Sequence, residues 1–508
     1  MRIILDRESK ISLYLQIRNQ IRRLIQTHTF PPGYCLPPER KLATTLGVNR
    51  STVVNAYREL EADGLIESHV GKGTIVKPMA ILENVKEPDI PVQPLIWKDF
   101  YNRQSEKMYN PALSNILDHL AQDDLISFAA GAPALETYPL EKFAQINSNL
   151  IMKSQGYPFE YSSTLGLYSL REYLAEFMAA RGIETQPENI IIISGSQQGL
   201  DLLAKIFLEP GDAVVVEEPT YLGAIGVFNA AGAHILTVPV DENGLCTDIL
   251  EQILARHRPK FIYSQSTFQN PTGVTMASDR RMKLLQLAYR YHVPIVEDDA
   301  YGELYYDTPR VQSLKAMDDY NHVIYLSTFS KILFPGLRLG WIVAPSSVID
   351  MFELAKQHAD LHSGTTVQWL ITEFCRQSLL EEHLHNVRDK YTSKRNVMLR
   401  ALEKYSPPGL SWNVPKGGFY LWCQLPLGIN ATTLLSKASE KKVAFLPGDA
   451  FYVSTGGQDK IRLCYSRCPQ ETIEEGILRI CEALTEISQA QSSTQNSYNP
   501  KNRINPFI

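Results

Sequence analysis

Five short apolar runs, each followed by a polar or aromatic loop, constrain the fold of this chain more than any other feature. The runs are Ile190–Ile193, Ala213–Val216, Phe261–Ser264, Pro294–Val296 and Val323–Leu326. Short runs that are apolar throughout are typical of strands buried on both faces, and their repetition favours an α/β sheet with largely parallel strands. In such sheets ligands bind beyond the carboxyl ends of the strands. We therefore expect the five loops to converge on one edge of the sheet.

The loop after the last run holds one lysine among hydroxyl side chains, in the sequence STFSKILFPGLRLG of residues 327–340. Lys331 can form a Schiff base with an aldehyde cofactor. Thr328, Ser330 and Arg338 can hold a phosphate beside it. Taken alone, the segment is equally consistent with a basic surface loop.

The other loops carry groups that complement such a lysine. Residues 194–199 lie between a strand and a helix, and so present backbone N–H groups and the positive helix end to a phosphate. Asp298 can keep a pyridine ring nitrogen protonated. Asn270 and Tyr301 can hydrogen-bond the phenolic oxygen of that ring, and Tyr221 can stack on its face. Separately, Asp298 is as well explained as a strand-end cap and Tyr221 as core packing, but together with the lysine they favour a cofactor site.

Size and composition indicate a globular protein of more than one domain. The 508 residues exceed one ordinary domain, and 44% hydrophobic with 21% charged residues is a normal globular composition. Charged residues come too early for a signal peptide and no run approaches a membrane span, so we expect a cytoplasmic protein. The seven cysteines include no paired CxxC with nearby histidines, so we expect reduced thiols and no metal site.

Charge is distributed unevenly along the chain. Residues 1–77, which we call the head, hold twelve Lys and Arg against seven Asp and Glu, a net charge of +5. The rest of the chain carries −10, because the total is −5. A basic head on an acidic remainder indicates a polyanionic partner.

The head has the pattern of a helix-turn-helix. Apolar residues at helical spacing predict a first helix that includes Leu13 and ends near residues 27–30. A second helix is expected over residues 39–46, where Gly47 stops it. Asn49 should cap a third helix. The buried stripe of that helix is predicted to be Val53, Ala56, Tyr57 and Leu60.

Two strand-like runs, residues 65–69 and 74–76, follow the third helix and are joined through Gly71-Lys72-Gly73 as a hairpin called a wing. The outward residues of the third helix are suited to phosphates and base edges in a major groove. Residues at the start of the second helix and on the wing would contact the backbone or minor groove. The candidate DNA contacts are Arg40, Arg50, Ser51, Thr52, Asn55, His69 and Lys72.

The string LPPERKLATTLGVNRSTVVNAYRELEADGLIESHVGKGTIV resembles the winged helix-turn-helix of GntR-type bacterial regulators. The likeness covers nearly all of residues 10–77, including the spacing, both wing glycines and the LPxER opening. Pro38 departs from it, since serine is commoner there. The resemblance implies that the partner is double-stranded operator DNA.

The motifs NPTG, EDDAY and STFSKILFPGLRLG resemble, in this order and spacing, the class I aminotransferases of pyridoxal-phosphate fold type I, over roughly residues 112–488. The resemblance implies that Lys331 forms the Schiff base with pyridoxal 5′-phosphate and that Asp298 binds the ring nitrogen. It assigns Asn270 and Tyr301 to the phenolic oxygen and Tyr221 to the ring face. The implied phosphate ligands are Ser196, Gln197, Thr328, Ser330 and Arg338.

The same resemblance concerns the ligand and the partner subunit. Tyr161 resembles a tyrosine that reaches the phosphate of the other subunit's cofactor, which implies a homodimer. Arg462 matches the arginine that grips a substrate carboxylate in two-pronged fashion. Gly131 lies in a small-residue loop, residues 128–133, that lets the backbone approach a ligand closely.

These assignments predict a multidomain chain. The head is a winged helix-turn-helix, residues 78–111 are a linker, and residues 112–488, which we call the body, are an α/β unit of fold type I. The body should have a mostly parallel sheet with helices on both faces and a smaller C-terminal α+β part. Residues 489–508 are polar and are expected to be disordered.

Head and body together resemble the MocR subfamily of GntR regulators. The favoured function is a pyridoxal-phosphate-dependent transcription regulator whose body senses an amino acid, an amine or the cofactor itself. The alternative is a working aminotransferase, converting amino acids to 2-oxo acids, that carries a DNA-binding domain. A third interpretation is a body that holds the cofactor only structurally.

Overall fold

The computed structural model describes residues 3–7, 11–69, 73–78, 95–101, 125–153 and 156–497. They fall into two compact units, one within Met1–Phe100 and the other within Tyr101–Ile508. The head lies in the first unit and the described part of the body in the second. Most of the predicted linker lies outside the described residues. Over the described ranges, no helix combines the length and the apolar composition that crossing a bilayer requires.

The described head contains helices and a small antiparallel sheet of order β1-β3-β2. Its elements are α1 (Leu13–Gln26), β1 (Cys35–Leu36), α2 (Glu39–Leu46), α3 (Arg50–Ala62), β2 (Ile66–His69) and β3 (Gly73–Val76). The three predicted helices and both wing strands are therefore confirmed, with ends within a residue or two of the predictions. Gly71 and Lys72, which are predicted to join the two wing strands, lie outside the described residues.

The predicted end of α2 and the predicted start of α3 have different outcomes. Gly47 ends α2 as expected, because it adopts a left-handed conformation with φ of 62°. Asn49 does occupy the position before α3, but its side chain makes no capping hydrogen bond within the described head. The prediction of a side-chain cap at Asn49 is therefore wrong, and its backbone carbonyl instead accepts from the Thr52 N–H at 3.0 Å.

The inner face of α3 forms the centre of the head's core. All four residues of the predicted stripe are buried, and they pack with Ile17 and Ile21 of α1. The Tyr57 hydroxyl donates to Pro37 O at 2.9 Å, which ties α3 to the segment before α2. With one face committed to the core, the opposite face of α3 is left at the surface.

The body is organised on an eight-stranded sheet of order β5-β12-β11-β10-β9-β6-β7-β8. Its strands, with those of the smaller sheets, are β4 (Ile126–Ser127), β5 (Ile190–Ile193), β6 (Ala213–Glu218), β7 (His234–Asp241), β8 (Gly244–Leu245), β9 (Ile262–Ser264), β10 (Ile295–Asp298), β11 (Val323–Thr328), β12 (Gly340–Val343), β13 (Ser411–Trp412), β14 (Tyr420–Gln424), β15 (Val443–Ala444), β16 (Leu446–Pro447) and β17 (Lys460–Cys464).

The five predicted strands all point the same way. Strands β7, β6, β9, β10 and β11 pair in parallel, and β12 is antiparallel to both β11 and β5. Strand β5 therefore runs with the others, and the carboxyl ends of β5, β6, β9, β10 and β11 meet at one edge. This confirms the predicted largely parallel sheet.

Helices cover both faces of this sheet. The helices of the body are α4 (Leu140–Lys153), α5 (Tyr168–Ala179), α6 (Ser196–Phe207), α7 (Leu222–Ala230), α8 (Thr247–Arg256), α9 (Ser278–Tyr291), α10 (Phe329–Ile332), α11 (Ser346–Ala359), α12 (Thr365–Arg376), α13 (Leu379–Tyr405), α14 (Ala431–Glu440) and α15 (Gln470–Ser497). Ile190 and Ile192 of β5 pack in one core, and Ile191 and Ile193 in another. Two-sided burial explains why these strands are apolar throughout.

Three strands extend further than predicted, and β6, which ends at Glu218 instead of Val216, is one of them. Strand β10 ends at Asp298 and β11 at Thr328, because the pairing continues to Asp298 opposite Leu326 and Thr328 opposite Gly340. The sheet itself, rather than a loop, thus fixes the backbone of Asp298 and Thr328.

The C-terminal part contains an antiparallel sheet of order β13-β14-β17-β16 and the helices α13 to α15. Helix α15 runs to Ser497, so the prediction that disorder begins at residue 489 is wrong for residues 489–497. Ile487 packs against the main core, and the Gln491 Nε2 donates to Gly428 O at 3.1 Å. These contacts hold the helix on the body beyond the point where its composition turns polar. Residues 498–508 lie outside the described residues.

Candidate cofactor site and DNA-binding surface

Lys331 lies on the short helix α10, immediately beyond the end of β11. Its Nζ donates to Gly131 O at 2.8 Å. Burial of the ammonium group lowers the pKa of Lys331 to about 8, and the positive charge of Arg462 acts in the same direction against the raising effect of Asp298. A lysine with this pKa has a far larger neutral fraction at pH 7 than a surface lysine, which suits a nucleophile.

Asp298 is a buried carboxylate with one oxygen bonded and the other open. Its Oδ2 accepts from the Tyr263 hydroxyl at 2.7 Å and from the Gln265 Nε2 at 3.1 Å. Its Oδ1 is buried without a hydrogen-bond partner among the described residues. Burial raises the pKa of Asp298, and the two donors and the charge of Lys331 oppose that rise. A buried, unpaired carboxylate oxygen fits a cationic N–H group such as a protonated pyridine nitrogen.

Arg462 projects from β17 into the same region. Its Nη1 donates to Asn270 Oδ1 at 2.7 Å and its Nη2 to Ala129 O at 2.6 Å. The guanidinium carbon lies 4.2 Å from the ring centroid of Tyr420 and 4.9 Å from that of Phe451. Its Nε is buried without a hydrogen-bond partner among the described residues. The arrangement leaves a fixed cation that can bind a carboxylate.

Tyr301 and Tyr420 form a buried pair of phenols, with their hydroxyl oxygens 2.7 Å apart. Burial raises the pKa of Tyr301 well above its ordinary value and that of Tyr420 to about 12, so both hydroxyls keep their protons at neutral pH. Gly131 adjoins this pair, since a Cβ there would lie 1.9 Å from the Tyr420 hydroxyl oxygen. Only glycine fits at residue 131 while Tyr420 keeps this position.

The start of α6 forms the first predicted phosphate seat. Gly195, with φ of 86°, turns the chain from β5 into the helix that begins at Ser196. The Arg338 Nη2 lies 2.7 Å from where a Gly195 Cβ would be, and it donates to Ser194 O at 3.0 Å. Arg338 itself is left-handed, with φ of 46°. Such strained conformations concentrate at ligand sites.

The second predicted seat adjoins the first. A Cβ at Gly340 would lie 3.4 Å from both the Gly195 and the Thr328 Cα atoms, which shows how closely the two loops approach. The Thr328 Oγ1 accepts from the Ser330 N–H at 3.1 Å and caps α10. The loops that carry Ser196, Arg338, Thr328 and Ser330 thus lie side by side, and the role of these residues in binding a phosphate stays a prediction.

Gln197 and Tyr221 flank these loops. The Tyr221 hydroxyl donates to Gln197 Oε1 at 3.2 Å, and the Gln197 Nε2 reaches Gly223 O at 3.3 Å. Burial, and next the charge of Asp298, raise the pKa of Tyr221 to about 12. Tyr221 therefore lies within electrostatic reach of the carboxylate expected at the ring nitrogen.

An ion pair between a buried lysine and an exposed aspartate supports the loop of the first predicted phosphate seat. The Lys356 Nζ, fully buried on α11, pairs with Asp360 Oδ1 at 2.6 Å. The Asp360 Oδ2 accepts from the Gln198 Nε2 at 2.7 Å, and Gln198 Oε1 accepts from the Ser194 N–H at 2.7 Å. Sequence patterns gave no sign of this network, because its members come from separate elements.

Tyr161 differs from the other predicted residues. Its side chain is 84% exposed, and its ring meets that of His362 edge-on at 5.7 Å. Among the described residues, Tyr161 makes no hydrogen bond or ring contact with the residues around Lys331 of its own chain.

In the head, most predicted DNA-binding side chains lie at the surface. Thr52 is half-buried, and Lys72 lies outside the described residues. Arg50 is 56% exposed along its side chain and pairs with Glu39 Oε2 at 3.2 Å. This pair links the first residues of α2 and α3. The exposed candidates are Arg40, Arg50, Ser51, Asn55 and His69.

Sequence reasoning missed three residues of the body site: Tyr263, Gln265 and Tyr420. Tyr263 and Gln265 are two residues apart along β9 and its extension, so strand alternation places them on one face and a signal was available. Tyr420 offered no such signal, because its position depends on how β14 approaches Tyr301. For metals, the described part of the chain holds no group of three or more His, Cys, Asp or Glu side chains placed around one point.

Comparisons with known proteins agree with this division. The family "Aminotransferase class I and II" matches residues 123–480, and "Bacterial regulatory proteins, gntR family" matches residues 13–76. The aromatic-amino-acid aminotransferase 1 of Thermococcus litoralis is 39% identical over 398 residues, 77% of this chain and 95% of that protein. The HTH-type transcriptional regulator YdfD of Bacillus subtilis, named as uncharacterized, is 31% identical over 481 residues, 94% of this chain and 98% of that protein.

Among solved structures, the α-aminoadipate aminotransferase LysN of Thermus thermophilus, complexed with N-(5′-phosphopyridoxyl)-L-leucine, superposes with a TM-score of 0.74. It is 37% identical and covers 78% of this chain and 100% of its own. Members of this family use pyridoxal phosphate, and a GntR domain implies DNA binding. The chain therefore belongs to the class I and II aminotransferase family and carries an N-terminal GntR domain, the arrangement of MocR-type regulators.

Proposed function

We propose that this chain is a DNA-binding transcription regulator whose body binds pyridoxal 5′-phosphate through Lys331 and senses an amino acid, an amine or the cofactor itself. The observation that carries the proposal is the buried, unpaired Asp298 Oδ1 in the same site as Lys331. That site belongs to a chain whose head presents polar and basic side chains on α3. A role on operator DNA would place the protein in the cytoplasm.

The residues of the site fit the cofactor group by group. Asp298 would hold the ring nitrogen, because its Oδ1 lacks the donor that a buried carboxylate requires. Tyr301 and Asn270 would hold the phenolic oxygen. The Asn270 Oδ1 already accepts from Arg462, which leaves its amide N–H groups for a ligand. Tyr221 would cover the ring face. The phosphate would lie among Ser196, Gln197, Thr328, Ser330 and Arg338.

Lys331 supplies the nucleophile for the covalent link. With a pKa of about 8, about a tenth of its side chains are neutral at pH 7, against fewer than about one in a thousand for an ordinary lysine. Its contact with Gly131 O holds Nζ in place before the link forms. When bound, pyridoxal phosphate supplies an aldehyde that captures amines reversibly and a ring that delocalises negative charge.

Arg462 would select ligands that carry a carboxylate. Its guanidinium is buried, and a carboxylate that replaces Ala129 O on Nη2 would pair two opposite charges where the guanidinium now meets only a carbonyl dipole. Gly131 would let such a ligand approach the backbone. Amines without a carboxylate would lack this contact.

The proposed assembly is a homodimer in which Tyr161 reaches the phosphate of the partner subunit. Its 84% exposure supports this role, because an exposed tyrosine side chain is available to contact another subunit, and tyrosine is enriched at interfaces. Leu135, Leu140, Phe159 and Leu361 are likewise exposed in the body.

In the head, Arg50, Ser51, Thr52 and Asn55 of α3 would enter the major groove, and Arg40, His69 and Lys72 would contact the DNA backbone or the minor groove. Residues 1–77 form the DNA-binding domain, 78–111 the linker and 112–488 the cofactor-binding body. Ligand binding would shift the two heads of a dimer between arrangements that fit the operator differently.

The test has two parts. Full-length protein is mixed with pyridoxal phosphate, and the visible absorbance of the bound cofactor is compared in wild type and Lys331→Ala. We expect the band only in the wild type, and a retained band would refute the role of Lys331. Amino acids and amines are then screened for those that change both this band and the protein's affinity for its own upstream DNA.

A second function is supported by a specific observation. All the groups that transamination needs are present in the body, whose T. litoralis relative is named an aromatic-amino-acid aminotransferase. The chain would then be an enzyme that also binds DNA. Incubation of the purified protein with an amino acid and a 2-oxo acid separates the two functions. Steady turnover favours the enzyme, and a single spectral change without product favours the sensor.

A further inference from the structure

Tyr420, which lies in none of the sequence motifs, adjoins three residues of the proposed site at once. It is 2% exposed and lies on β14. Its hydroxyl oxygen lies 2.7 Å from that of Tyr301, and its ring centroid lies 4.2 Å from the Arg462 guanidinium carbon. A side chain at Gly131 would collide with its hydroxyl. One phenol thus adjoins the groups proposed for the cofactor oxygen, the ligand carboxylate and the ligand's path of approach.

We propose that Tyr420 is a positioning residue that couples the cofactor-binding and carboxylate-binding halves of the site. Its hydroxyl strengthens the hydrogen bond that Tyr301 donates, and its ring holds the Arg462 guanidinium in place. The inference rests on the proposed function, because it requires a cofactor beside Tyr301 and a carboxylate at Arg462.

The hydroxyl acts through Tyr301. A phenol has one proton to donate, so a Tyr301 that donates to the cofactor's phenolic oxygen can only accept from Tyr420. In a buried chain of hydrogen bonds each member polarises the next, which makes Tyr301 a stronger donor. A stronger donor stabilises negative charge on the phenolic oxygen, most of all when the nitrogen of the Lys331 link has lost its proton and no longer compensates that charge.

The ring acts through Arg462. The guanidinium lies over the faces of two aromatic rings, those of Tyr420 and Phe451. Ring faces attract a cation without occupying its N–H groups, so they fix the guanidinium and leave its donors available to a carboxylate. The two parts of Tyr420 can therefore be removed separately, the hydroxyl by Tyr420→Phe and the ring by Tyr420→Leu.

The first experiment titrates the visible band of full-length protein loaded with pyridoxal phosphate. In Tyr420→Phe, the pH midpoint of the spectral transition should rise by roughly 0.5 unit, because the weakened Tyr301 donor no longer favours proton loss as strongly. The matched control is Tyr465→Phe, a buried tyrosine whose hydroxyl donates to Gly418 O at 2.9 Å. Its midpoint should equal that of the wild type.

The second experiment measures the affinities of L-phenylalanine and 2-phenylethylamine, which differ only in the carboxylate. Tyr420→Phe should keep the wild-type ratio of the two affinities. In Tyr420→Leu the preference for the amino acid should be about tenfold smaller, because one cation–π contact with Arg462 is gone. Circular dichroism checks folding, and Tyr420→Met, which fills more volume, replaces the leucine variant if that variant unfolds.

The outcomes separate this inference from the proposed function. A wild type without a visible band would refute the proposed function. A normal visible band in the wild type, together with an unchanged pH midpoint in Tyr420→Phe, would refute the role of the hydroxyl and leave the proposed function standing. An unchanged preference in the ringless variant would refute the role of the ring.

Discussion

Gln265→Met should weaken both the fold of the body and the grip on the cofactor, although Gln265 itself is not a proposed ligand. Its side chain makes two hydrogen bonds of 3.1 Å, donating from Nε2 to Asp298 Oδ2 and accepting at Oε1 from the Asn270 N–H. It therefore ties the carboxylate expected at the ring nitrogen to the loop that carries Asn270. Methionine keeps the length of the side chain and removes both bonds.

The magnitude follows from what the substitution leaves behind. Asn270 is 4% exposed, so its N–H would be buried without an acceptor, at about 1 to 3 kcal/mol. Asp298 would keep only the Tyr263 donor on Oδ2, and the loss of a bond to a charged group costs about 1.5 to 3 kcal/mol. Since loops relax, we expect the free energy of unfolding to fall by about 3 kcal/mol in total.

Gln265→Met should also shift the pH dependence of cofactor binding, and the direction of the shift follows from the pKa of Asp298. Burial already raises the pKa of Asp298, and Gln265 is one of the two donors that oppose the rise, so its removal raises this pKa further. If cofactor binding requires ionised Asp298, the affinity is lost as the pH is lowered, and this loss should begin at a higher pH in the variant than in the wild type. Urea denaturation gives the first quantity, and pyridoxal phosphate titrations from pH 5 to pH 9 give the second.

The matched control is Gln312→Met, because Gln312 is exposed and its Nε2 donates to Ala316 O at 3.3 Å, away from Asp298 and Asn270. It should change neither quantity. A Gln265→Met protein with wild-type stability and an unshifted acid limb would show that the two bonds do not position the site.

Three further predictions concern other parts of the chain. Arg50→Ala should weaken operator binding about tenfold in a shift assay and lower the salt dependence of that binding by about one charge, while the visible absorbance of the bound cofactor stays unchanged. The control variant Arg22→Ala, on α1, should bind the operator as the wild type does. Asp360→Asn should weaken pyridoxal phosphate binding several-fold, because the loop at Ser194 loses its hydrogen bonds to the carboxylate. Equilibrium dialysis measures the affinity, and pyridoxal, which lacks the phosphate, should bind to the variant as it does to the wild type. Burial alone would raise the pKa of Glu303, but hydrogen bonds from Arg181 and the charges of Arg310 and Arg388 hold it below its usual value. The contribution of Glu303 is therefore complete at neutral pH and lost as the pH falls through its folded-state pKa. Glu303→Gln should cost about 3 kcal/mol in urea at pH 7 and progressively less as the pH falls below the ordinary glutamate pKa of about 4.3.

The sequence predicts those features that are set by neighbouring residues. Strand β5 begins and ends where its apolar run does, because both of its faces are buried. Helix α2 ends at Gly47, because that glycine takes the left-handed conformation that the stop requires. The convergence of five loops was predictable for the same reason, since parallel strands bring their carboxyl ends to one edge.

Contacts between distant segments were not predictable in this way. Tyr301 meets Tyr420 across 119 residues, and Arg462 meets Asn270 across 192. Periodicity reports which face of an element is buried, but not which residue of another sheet lies opposite. The family motifs placed Arg462 and Asn270 in the site, whereas Tyr420 belongs to no motif and became visible only through its distance to Tyr301.

The C-terminal tail shows a different limit. Its polar composition after residue 488 predicts disorder, yet α15 continues to Ser497. Extending an existing helix needs no new nucleus, so each added residue costs little. The anchor at Ile487 and the bond from Gln491 to Gly428 O are enough to carry it past the compositional boundary.

Both the sensor and the enzyme would use Lys331, but the enzyme would ask more of it. A sensor needs only that ligand binding replace the contacts of Lys331 with Gly131 O and of Arg462 with Ala129 O, and so favour one arrangement of the chain. An enzyme needs, in addition, that the Lys331 Nζ accept and return a proton. A pKa of about 8 is close to that of an effective base at neutral pH, so this lysine sets no barrier to turnover. If the protein is a sensor, the ligand must therefore be held so that proton transfer does not follow, and a change in the visible band and in operator affinity without product formation would be its signature.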